Sequence, residues 1–347
     1  MRVPGKQNPP GAQRPVYMVD GSYPRIVDGG RAPEYEQRAE QNRSVPMGYI
    51  PEVETTFAFF ETDYGLMNER QVSMAESTCG ARTIGPLPLG VPGGTALFSI
   101  EELSRVALER CATARCAVKT MGDLATKYGY FAQDREKEDS AEAMAVADGA
   151  EGWMFHILPA ADNALEMGPV WAAQRVPDDS ISVCVNMFVI RQMDLKDTDN
   201  FMASDNVMAV AKKVGWWDGV RPFDFTAAYA SDPAPKENAG SRNFYSGRRI
   251  WRIFSLVAPG TKLDPEVGHI SNVTTYPFSI KPDQKVMTEP ANEREEGGSH
   301  IAAISGVGAG GAACRSHPGL FLPACAPLFL LPPGVSPRHH PPPARQL

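Results

Sequence analysis

The chain has 347 residues, 43% of them hydrophobic, with 34 Lys+Arg against 41 Asp+Glu for a formal charge of -7. That length and apolar content can fill a sizeable core, which excludes a peptide, a coiled coil or a small disulfide knot. The acidic balance argues against a phosphate-neutralising surface, so nucleic acid is not an expected partner, and no apolar run reaches the roughly 20 residues that span a bilayer.

Residues 1–15 carry Pro4, Pro9, Pro10 and Pro15 with Gly5 and Gly11 and read as a linker, without room for a helix or a paired strand. One folded domain is expected over residues 16–288. Thr55–Phe60 and Gln71–Ala75 read as two strands joined by a turn through Asp63-Tyr64-Gly65. Ser99 with Glu102 is a capping-box signature for a helix running to Arg110. Thr113 caps a second helix with an apolar stripe of Val118, Met121, Leu124 and Ala125, stopped by Gly129. Strands follow at 143–146, 153–158, 170–175 and 181–190, with links short enough for an antiparallel meander. Two more helices are expected, over 206–214 capped by Asp205 and over 248–257 capped by Ser246. Strands, helices, a meander and helices again imply an α+β layered fold. Residues 289–347 hold 10 of the 31 prolines and 8 of the 31 glycines, so they read as a disordered tail.

Six cysteines, at 79, 111, 116, 184, 314 and 325, form no CxxC pair. They read as reduced thiols, which favours a cytoplasmic location. No HxxxH or HExxH occurs, and Cys111 and Cys116 lie about 140° apart around a helix, so neither a metal nor a cofactor is expected. His339-His340 falls in the tail. No GxSxG elbow is present, and the glycines at 306–310 have no strand before them. Cys79 could be presented at a strand end, but spacing gives it no base. Asn186 is the one amide in an apolar strand, and leaving it unpartnered would cost roughly 1–3 kcal/mol. It either satisfies a neighbouring loop or faces a site. Arg248 and Arg249 stand at an expected helix start, where the dipole disfavours cations, so one of them calls for an anionic partner.

Nine short blocks carry a resemblance: GLMNE at 65–69, AESTC at 75–79, LSRVALERC at 103–111, KYGY at 127–130, QRVPDD at 174–179, NMFVIR at 186–191, DNF at 199–201, GWW at 215–217 and YSGRR at 245–249. In order and spacing, over roughly Arg14 to Met287, the sequence resembles the C69 family of cysteine dipeptidases. The resemblance implies an N-terminal-nucleophile hydrolase, an αββα sandwich in which a leading cysteine attacks an amide carbonyl and its own α-amine serves as base. It also implies a dipeptide or short peptide as substrate, with self-association left open. Asn186, Arg249 or Arg248, and the polar Ser77-Thr78 loop, with Thr78 as the chosen group, match the family's positions near the thiol.

The sequence departs from that pattern at the nucleophile itself. It opens Met1-Arg2-Val3, and its first cysteine is Cys79. The resemblance thus implies a dipeptidase domain without its first strands and C-terminal part, and a chain that as written is inactive. Two alternatives stand beside this one: a non-catalytic homologue acting as a binding or regulatory scaffold, and use of Cys79 after cleavage behind Thr78.

Overall fold

The structure, a computed structural model, describes residues 1–18, 26–28, 35–82, 85–132, 141–159, 168–231, 239–265 and 276–283. The expected tail, with Cys314, Cys325 and His339-His340, lies outside the described residues.

A mixed α/β architecture is built on one large antiparallel sheet. Its first part consists of β1 (Arg2–Val3), β4 (Phe59–Glu61), β5 (Gly65–Asn68) and β6 (Ser73–Cys79). The second part consists of β7 (Ala141–Ala147), β8 (Gly152–Leu158), β9 (Val170–Val176) and β11 (Phe201–Ala203). The spatial order is β1-β4-β5-β6-β7-β8-β9-β11. Two small sheets stand apart, β2 (Gln13–Tyr17) with β3 (Pro46–Pro51), and β10 (Ile181–Ser182) with β12 (Ser279–Ile280).

Every residue of β7 and β8 is buried, because both faces of the sheet are covered there. That explains the near-continuous apolar runs in place of alternation. On one face lie α1 (Ile100–Arg110) and α2 (Ala114–Tyr128), whose Leu103, Val106, Val118 and Met121 meet Met144, Val146, Trp153 and Phe155 of the sheet. Gly122 lets α2 approach closely, since a Cβ there would come within 2.3 Å of the Trp171 indole. Over β6–β9, the other face is covered by residues 183–190 together with α3 (Val207–Lys213), α4 (Phe225–Tyr229) and α5 (Ala239–Val257).

Under the helical face runs a buried ionic network. The Arg14 guanidinium bonds Glu102 and, at 2.9 Å, Glu109; Arg105 bonds Glu61 at 2.7 Å and Glu102 at 3.3 Å. Burial acts to lower both guanidinium pKa values, and the facing carboxylates overcome it, so both are raised.

Several expectations are corrected. Residues 1–15 include β1, which pairs with β4, and most of β2, which pairs with β3. Pro15 is accommodated in a two-stranded ribbon, where an edge tolerates a missing N–H. The segments at 55–60 and 71–75 are not mutual partners: Gly65–Asn68 forms a strand between them, Phe60 facing Met67 and Met67 facing Ser73. Ser99 stands at the N-cap of α1 but makes no side-chain cap bond, and the Glu102 carboxylate that a capping box would turn back to the Ser99 N–H is held instead in the ionic network. In α2 the expected caps form: Thr113 accepts from the Cys116 N–H, and Gly129 follows with φ 80°. The α3 cap position is Asn206, not Asp205. Ser246, expected as a cap, lies inside α5, where the burial of Ile250, Phe254 and Val257 outweighs the modest helix penalty of serine and glycine. Cys111 and Cys116, expected as reduced thiols, form a disulfide across the α1–α2 junction.

Candidate functional site

The long strand expected over residues 181–190 ends at Ser182. Beyond it the chain forms an irregular strap, buried at Val183–Val185 and Phe188–Ile190, with Asn186 and Met187 half-buried between. Asn186 has φ 56°, the left-handed region that asparagine tolerates better than most side chains. Its position is therefore a bend and not a strand.

At that bend nearly every polar group of Asn186 is engaged. The backbone N–H donates to Ser77 Oγ at 2.8 Å, and Nδ2 donates to the Thr78 carbonyl at 2.8 Å. Arg249 Nη2 donates to Asn186 Oδ1 at 2.9 Å and to the Val185 carbonyl at 3.2 Å. Ser246 Oγ donates to the Asn186 carbonyl at 3.3 Å. The central strand β6 and the helix α5 thus meet at one side chain.

The structure brings Asn186, Arg249 and the Thr78 backbone together. Thr78's hydroxyl is directed elsewhere, donating to Glu76 Oε1 at 2.9 Å on the opposite face of β6. Arg248 is exposed and sits about 100° around the helix from Arg249. Both arginines lie in the middle of α5, not at its start, so the helix-dipole argument for an anionic partner does not apply. Of the Ser77-Thr78 pair singled out by the resemblance, it is the Ser77 hydroxyl that meets Asn186; Ser246 and His156 were missed as site residues. The only signal for Ser246 was its place beside Arg248 in the YSGRR block.

The two free thiols of the described residues are both buried, and both are held as donors. Cys79 donates to the Ser77 carbonyl at 3.3 Å, and Cys184 to the Met187 carbonyl at 3.1 Å. Burial first, and then the neighbouring Cys184, push the Cys79 thiol well above its ordinary value. Cys79 in this setting is not a thiolate. Behind the site, Glu142 lies opposite Thr78 on β7. Burial and then the adjacent Glu76 carboxylate raise its pKa well above the usual carboxylate range. Among the described residues no group of three His, Cys, Asp or Glu is placed to hold a metal ion. A cleft of about 770 Å³ between α2 and β11, lined by Trp171, Thr126 and Met202, contains none of these site residues.

The family model for Peptidase family C69 matches residues 43–293. The chain belongs to peptidase family C69. Over 179 residues it is 26% identical to a "Probable dipeptidase" of Latilactobacillus sakei, covering 51% of this chain and 32% of that protein. Over 189 residues it is 29% identical to a "Probable dipeptidase" of Salmonella dublin, covering 54% of this chain and 37% of that protein. The chain thus matches about a third of the length of these two relatives.

Proposed function

We propose that the described domain is the scaffold of a cysteine dipeptidase that cleaves amide bonds through an acyl-enzyme, with Asn186 as the amide that meets the developing oxyanion. The observation that carries this reading is the convergence of β6 and α5 on the Asn186 side chain. A primary amide has two N–H donors. One is spent on the Thr78 carbonyl, which fixes the plane of the amide and leaves the second for a substrate oxygen. Arg249 on Oδ1 withdraws charge from the amide and makes Nδ2 the stronger donor. Donors fixed in place before the reaction are what stabilise a tetrahedral intermediate.

In this reading the attacking group is a leading cysteine whose α-amine, with an ordinary pKa of about 7.7–8.0, takes the thiol proton. The sandwich is completed by a second sheet on the face that carries the strap. Phe60 and Met67, 53% and 44% exposed and paired across β4 and β5, are apolar surface on that same face. Among the described residues the four cysteines are buried or in a disulfide, so none of these four is expected to attack a dipeptide. A polypeptide in which a leading cysteine precedes this domain should release amino acids from dipeptides, and Asn186→Ala should lower its kcat by about 10²–10³-fold. An unchanged kcat would remove Asn186 from the site. Failure of every cysteine-led form to turn over would favour the non-catalytic scaffold.

A further inference from the structure

The strap from Val183 to Ile190 is largely buried yet makes no strand ladder, so its backbone N–H groups need acceptors from elsewhere. Asn186 finds Ser77 Oγ. Val189 and Ile190 find an imidazole: their N–H groups donate to His156 Nε2 at 3.1 and 3.4 Å. His156 belongs to β8 and is fully buried. In the sheet it stands between Ala143 of β7 and Ala172 of β9, two small residues that leave its row open for the strap to descend onto the ring. Phe188 and Phe225 pack against the imidazole, their centroids at 4.9 and 6.0 Å. On the far side of the strap, Thr226 Oγ1 donates to the Ile190 carbonyl at 2.5 Å.

We propose that His156 is the positioning residue of the Asn186 bend: its Nε2 seats Val189 and Ile190, and this seat fixes where the Asn186 amide lies. The proposal rests on the reading of Asn186 given above. It does not make His156 a catalytic residue, because the ring faces the strap's backbone. Only a neutral ring suits the task, since the Nε2 lone pair must stay free to accept while the proton sits on Nδ1. The apolar surroundings favour that form, and burial lowers the His156 pKa to about 3. Two acceptor bonds from one side chain suit a segment that leaves extended geometry at the Asn186 bend, where the regular ladder of a neighbouring strand does not follow it.

Amide hydrogen exchange on the chain reads this directly. His156→Phe keeps a ring of similar shape and removes the acceptor. It should speed exchange at Val189, Ile190 and Asn186 by on the order of tenfold or more, while β7 amides keep their protection. His156→Gln, whose side-chain carbonyl can take the place of Nε2, should restore protection at all three. Acceleration at Val189 and Ile190 with Asn186 unchanged would overturn the proposal. Should the Phe variant not fold, nitrogen NMR of the unsubstituted chain decides: an unprotonated Nε2 at neutral pH supports the seat, and a protonated one rules it out. Neither measurement uses turnover, so a failure here is separable from a failure of the dipeptidase reading.

Discussion

The two faces of the large sheet solve the same problem by different means. On the α1–α2 face, backbone polarity is satisfied inside regular helices, and the buried charges of Arg14, Arg105, Glu61 and Glu102 satisfy one another. On the opposite face an irregular strap lies over the sheet, and its N–H groups at Asn186, Val189 and Ile190 are taken up by side chains of β6 and β8. The first arrangement is regular and self-contained. The second holds one polar residue, Asn186, in a left-handed bend between apolar chain neighbours, a local irregularity of the kind that concentrates at functional sites.

The largest effect is expected where a buried charge loses its partner. Arg105→Met leaves Glu61 without its guanidinium and strips Glu102 of one, and should cost about 3–5 kcal/mol in denaturant unfolding. A loss below about 1 kcal/mol would mean that the helical face does not depend on this network. On the strap face, Ser77→Ala deprives the Asn186 N–H of its acceptor and should cost about 1–3 kcal/mol, measured in the same way. A cost matching that of Arg105→Met would erase the distinction between the two faces.

The smallest effect is one of pH. Glu142 has a raised pKa, so its contribution is complete below the ordinary 4.5 and is lost as the pH rises through its elevated folded value. Glu142→Gln should therefore gain stability over the unsubstituted chain as the pH climbs from about 4 to 8. Parallel pH–stability curves for the two proteins would contradict this. His156 acts in the opposite sense: lowered to about 3 by burial, it contributes fully above 6.5 and is lost as the pH falls toward 3.

What could be read from the sequence follows this division. Helices α1 and α2 and strands β7 to β9 were legible because their signals are local: a threonine at the N-cap, a glycine at the stop, short turns between apolar runs. The strap was not. Val183-Cys184-Val185-Asn186-Met187-Phe188-Val189-Ile190 has the composition of a strand, and the acceptors that let it be something else lie 109 positions away at Ser77 and 33 away at His156. Asn186 was legible as the odd residue in that run, and Arg249 through the family resemblance. Ser246 was taken for a cap because its helix continues through Gly247, a continuation that tertiary packing decides and local propensity does not. The linker reading of residues 1–15 failed for a similar reason, since prolines at the edge of a ribbon are compatible with pairing.

Release of free amino acids from a panel of dipeptides by the purified 347-residue chain is the most direct test of the account. Among the described residues Cys79 and Cys184 are buried hydrogen-bonded thiols and Cys111 is tied to Cys116, and the proposed attack belongs to a leading cysteine, so no release above buffer is predicted. Sustained hydrolysis that vanishes in Cys79→Ser would contradict it, because the attacking sulfur would then lie at the end of β6 itself.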